Sequence, residues 1–115
     1  MDLEFLREYC LKKPHTTEET PFGLDPLVFK VHGKMFALCS IQNFVSISLK
    51  CDPDKAEELR ATYTAVTAGY HMNKKHWNTV TVNQDVDDSL LLTMVDDSFA
   101  LVVKSLPKKL QATIG

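Results

Sequence analysis

A chain of 115 residues with 44% hydrophobic and 24% charged side chains, 4 Gly and 5 Pro reads as one folded domain spanning 1–115, and excludes collagen-like, low-complexity and wholly disordered classes. Its 13 Lys plus Arg against 15 Asp plus Glu give a formal charge of −2, which excludes a global basic field and leaves any nucleic-acid role to a local patch. Apolar runs such as Leu90 to Leu92 fall far short of the roughly 20 residues that cross a bilayer, and the acidic start, Met1 to Glu8, lacks the pattern of a secretory signal, so a cytoplasmic location without a membrane partner is expected.

In chain order, the first predicted element is a helix capped by Asp2, with Leu3, Leu6 and Cys10 on one face, Lys12 and Lys13 at its last turn and Pro14 as its stop. Thr16 to Glu19 reads as a short extended piece, followed by the turn-rich Pro21-Phe22-Gly23. Leu27 to Val31 and Met35 to Cys39 are β-rich runs around His32-Gly33-Lys34, a glycine-containing hairpin signal, and should pair antiparallel. Phe44 to Lys50 alternates cleanly, which predicts Val45, Ile47 and Leu49 toward the core and Ser46, Ser48 and Lys50 toward water.

Asp52-Pro53 opens a second helix, since Asp caps well and Pro at the first helical position wastes no donor; Ala56, Leu59 and Tyr63 form its stripe. Thr67-Ala68-Gly69 reads as a loop, Trp77 to Val82 as a strand ended by Asn83-Gln84-Asp85. Asp87 or Asp88 caps the longest helix, whose stripe Leu91, Val95, Phe99, Val102 and Leu106 leaves Asp96, Asp97 and Lys104 wet, and Pro107 precedes a basic tail, Lys108-Lys109. The order predicts a two-layer α+β domain, an antiparallel sheet with helices on one face.

Cys10, Cys39 and Cys51 are an odd number without a C-x-x-C, which argues against a disulfide framework or a zinc site and for small buried hydrophobes. Phosphate-loop, dinucleotide, zinc-protease and nucleophile-elbow motifs are absent, which is not absence of activity; no catalytic residue, cofactor or metal is assigned. His71 and His76 are separated by five positions, which shares neither a helical nor a strand face.

The densest polar stretch is Gly69-Tyr70-His71-Met72-Asn73-Lys74-Lys75-His76-Trp77-Asn78-Thr79-Val80. Asn and Lys suit base edges and phosphates, and Tyr or Trp suits stacking. The plainer reading makes Trp77 a buried anchor and the lysines a solvated loop. This stretch closely resembles the signature of the MmcQ/YjbR family of small bacterial proteins. Pro21-Phe22-Gly23, Lys34 to Ala37, Ser48 to Pro53 and Ser98-Phe99 to Leu106-Pro107 also look like that family, though Asn83 to Asp87 lacks a glycine and proline often seen there. The resemblance implies a CyaY-like, secretion-chaperone-like fold and a double-wing mode of DNA binding, with His71, Asn73, Lys74, Lys75, His76, Trp77 and Asn78 as contacts. A non-enzymatic binding protein for DNA is therefore expected. The alternative is a chaperone-like module that takes a protein or peptide at a sheet edge or loop.

Overall fold

The computed structural model describes residues 1–69 and 72–114. Helix α1 (Leu3–Leu11) starts where the Asp2 carboxylate accepts a hydrogen bond from the Phe5 amide at 2.9 Å, and it buries Leu6 and Cys10. A meander follows: β1 (Thr16–Glu19), β2 (Leu27–Val31), β3 (Lys34–Cys39) and β4 (Ser46–Lys50). His32 (φ 47°) and Gly33 (φ 79°) both take the left-handed conformation that a two-residue hairpin requires, which closes β2 onto β3. Phe29 pairs with Ala37 and Lys30 with Met35, so Phe36 is the unpaired residue of a bulge. That extra residue turns both Phe36 and Ala37 into the core, where the Phe36 ring meets Phe99 edge-on at 5.2 Å.

Helix α2 (Pro53–Thr62) leads to β5 (Val66–Ala68) and β6 (Trp77–Thr81), then to α3 (Asp88–Lys104), capped by Asp87, and a single turn, α4 (Lys108–Gln111). The 6-stranded sheet runs β1-β2-β3-β4-β6-β5 with every neighbouring pair antiparallel. Helices pack on one of its faces, and α3 lies across β3 and β4. This is the α+β, two-layer architecture expected. Ser98 of α3 ties the layers: its hydroxyl accepts from the Lys50 amide at 2.9 Å and donates to the Phe36 carbonyl. The sheet margins are short, with three residues in β5 and four in β1, where Arg7 holds Glu18 at 2.8 Å and Lys30 meets Glu19 at 3.5 Å. No helix among the described residues is long and apolar enough to cross a membrane.

The structure corrects four local expectations. Val45 is 51% exposed, because the chain bends there and β4 begins only at Ser46. Ser48, expected in water, is 7% exposed: it sits opposite Leu38 and its hydroxyl bonds that of Thr79 at 3.1 Å. The expected loop at Thr67-Ala68 is strand β5, set in place because Asp85 accepts from the Thr64 and Ala65 amides at 2.7 and 2.8 Å. The basic tail is α4, whose amides at Leu110 and Gln111 both bond the Pro107 carbonyl. One placement of charge also differs: α1 ends before Lys12 and Lys13, and Lys13 pairs with Asp96, which stays half exposed.

Candidate nucleic-acid interface

Strand alternation divides the sheet chemically. Ile47, Leu49 and Val80 face the helices, whereas Leu38, Ser48 and Thr79 lie together on the other face by register. On this helix-free face, Leu38, Ser46, Ser48 and Thr79 line a cavity of about 510 Å³ that Phe22, Met35 and Met72 also border. Among the described residues its lining carries no charged side chain. Phe22 is 72% exposed, so its ring stands at the rim rather than in the core.

Beside this cavity the chain turns tightly from Met72 into β6. The Asn73 side-chain oxygen accepts from the Lys75 amide at 2.9 Å, and its carbonyl accepts from the His76 amide at 3.2 Å. Such an Asx turn is local chemistry that any Asn before a two-residue step can supply. Arg60 of α2 then fixes the loop from below, donating to the Lys74 carbonyl at 2.9 Å and to the Asn78 side-chain oxygen at 3.1 Å. The Asn78 amide group in turn donates to the Ala56 carbonyl. Asn78 is 3% exposed and Trp77 9%, so little of either side chain is open to a partner, and Asn78 holds the loop to α2.

The residues singled out in the sequence thus separate. Asn73, Lys74 and Lys75 are exposed, His76 is half-buried with its carbonyl accepting from the Cys51 amide at 2.7 Å, and Trp77 and Asn78 are internal. His71, with Tyr70, lies outside the described residues. Sequence reasoning missed Arg60 and Lys50. Arg60 follows Ala56 by one helical turn, which places it on the side of α2 that meets β6, and Lys50 pairs in register with Trp77. None of the ion pairs among the described residues involves Lys50, Arg60, Lys74 or Lys75, four cations that adjoin one end of β6.

Gly69 closes the other side of the loop. Its amide donates to the Trp77 carbonyl at 2.8 Å, and a Cβ added there would lie 2.7 Å from the Trp77 Cβ. Gly69→Ala should therefore cost about 1–3 kcal/mol through forced displacement of β6, read as a lower denaturant midpoint. An unchanged midpoint would mean that the two strands do not approach so closely.

Burial disfavours the thiolate at all three cysteines. Burial pushes Cys10 and Cys39 up to about 12, and it raises Cys51, which is half-buried rather than buried as expected. Native protein at neutral pH should react with a thiol reagent slowly at Cys10 and Cys39 and faster at Cys51, with all three becoming equivalent on unfolding. Immediate labelling of Cys39 would contradict its burial. Among the described residues no group of three or more His, Cys, Asp or Glu is placed to hold a metal ion.

The family model YjbR matches residues 11–101. YbdF of Escherichia coli O157:H7 is 37% identical over 112 residues, covering 96% of this chain and 92% of that one. YjbR of Escherichia coli K12 is 32% identical over 110 residues, covering 95% and 93%. Among solved structures, Deinococcus radiodurans DR2400, a protein with the DUF419 family-model domain, superposes with a TM-score of 0.91 at 38% identity, covering 98% of this chain and 87% of that one. A Pseudomonas syringae protein gives 0.75 at 28% identity, covering 88% and 98%.

Proposed function

The chain belongs to the YjbR family, and from that premise we propose that it is a non-enzymatic, cytoplasmic binding protein whose partner is DNA, held at the loop from Asn73 to His76. The observation that carries this reading is that Lys50, Arg60, Lys74 and Lys75 adjoin one end of β6 and, among the described residues, enter no ion pair, beside a loop that Arg60 ties to α2, on a chain whose total charge is −2. Exposed lysines on such a loop suit phosphate contacts, which position a nucleic acid without reading its sequence.

Lys74→Glu with Lys75→Glu should abolish binding of a fluorescent DNA oligonucleotide at low salt and leave the melting temperature unchanged, since both side chains are exposed. Two lysines neutralise about two phosphates, so their share of the logarithmic salt slope is about 2. Lys108→Glu with Lys109→Glu, on α4, is the control and should bind as the parent does. Absence of salt-dependent binding in the parent, or sensitivity to the α4 pair alone, would overturn the reading. A protein partner is the second reading, favoured by the exposed apolar side chains Phe22, Leu24 and Val45. Partner capture that ignores salt would support it.

A further inference from the structure

Resting on that DNA reading, we propose that the cavity on the helix-free face of the sheet receives one unpaired base, so that the preferred partner is a single strand rather than an intact duplex. The space of about 510 Å³ lies within the roughly 300–1,000 Å³ typical of sites for small organic groups. Its lining among the described residues has no charge, so a phosphate entering it would lose its hydration without a counter-charge, whereas a neutral ring would lose little. The chemistry of the walls is that of a base site. Leu38 and Met35 are apolar, and thioethers pack well against aromatic rings. Phe22, at the rim, offers a largely exposed ring for stacking.

The floor supplies polarity without sequence preference. Ser48 and Thr79 share one hydrogen bond at 3.1 Å, which leaves the pair a second hydroxyl hydrogen and free lone pairs. Such a pair meets either a donor or an acceptor on a base edge. The placement of the lysines completes the argument: Met72 borders the cavity and Lys74 follows two residues later, at most about 7 Å along the chain. A base in the cavity would bring its backbone within reach of the loop that carries Lys74 and Lys75. In a duplex the bases are stacked and paired, and extruding one costs free energy that a single strand does not lose.

The test compares one labelled mixed-sequence oligonucleotide, single-stranded and annealed to its complement, by fluorescence anisotropy at low salt. The parent should bind the single strand at least about tenfold more tightly than the duplex. Leu38→Trp fills the cavity from its floor, and Phe22→Ala removes the stacking face at an exposed position where folding is not at stake. Each should erase the single-strand preference, by about tenfold, while duplex affinity stays at the parental value. Equal affinity for the two forms, or a preference that survives Phe22→Ala, overturns the base pocket and leaves the lysine loop standing. Absence of salt-dependent binding to either form overturns the DNA reading and the pocket with it.

Discussion

Ile47→Asp is expected to leave almost no folded protein, with a loss of about 4–6 kcal/mol against a total stability of about 5–15 kcal/mol for a domain of this kind. Ile47 has no exposure to solvent, and its cross-strand neighbours on the helix-facing side are Cys39 and Val80. Neither neighbour offers a carboxylate a positive charge, and the site has no access to water. Two residues earlier, Val45→Lys places its charge at a side chain already half in water and should change stability by no more than about 0.5 kcal/mol. Urea unfolding followed by circular dichroism reads both. If the two variants unfolded at the same denaturant concentration, the register of β4 would be wrong.

Ser98→Ala should cost about 2–4 kcal/mol, an effect out of proportion to the loss of one oxygen atom. The hydroxyl is fully buried and serves two backbone groups from different strands, accepting from the Lys50 amide and donating to the Phe36 carbonyl. Alanine fills nearly the same space and strands both, and each unpaired buried group costs about 1–3 kcal/mol. The Lys50 amide should then exchange with solvent hydrogen faster than in the parent, while its neighbours in β4 are less affected. Ser89→Ala, exposed on the same helix, should change neither quantity measurably. Unaltered exchange at Lys50 would mean that another group satisfies that amide.

The elements that carry their own local chemistry were legible in the sequence. Asp2, Asp52 and Asp87 cap their helices as expected, and the stripe from Leu91 to Leu106 is buried throughout. What failed depends on contacts between distant segments. Nothing in Thr67-Ala68-Gly69 signals a strand, because β5 exists through the carboxylate of Asp85 some twenty residues on. Period-two alternation placed Ser48 on a wet face, since the pattern reports which way a side chain points and not what lies above it. At the site, the loop was legible as a dense polar run. The division within it was not: Asn78 is committed inward by Arg60 and Ala56, on a helix that sequence order places some twenty residues earlier. The helix-free cavity draws on residues from Phe22 to Thr79, a grouping that no local pattern contains.

The short margins of the sheet also decide how the molecule behaves in a crowd. An unprotected edge strand is a template on which another chain zips into cross-β aggregates, and its hazard grows with length and apolar character. Here one rim offers three residues and the other four, and the longer carries two glutamates, Glu18 and Glu19, each held by a cation. Few ladder bonds are available to an incoming strand, and at the β1 rim it would have to pass charged side chains. The protein should therefore stay monodisperse when concentrated, and strand addition to a rim is the least favoured way for it to take a peptide.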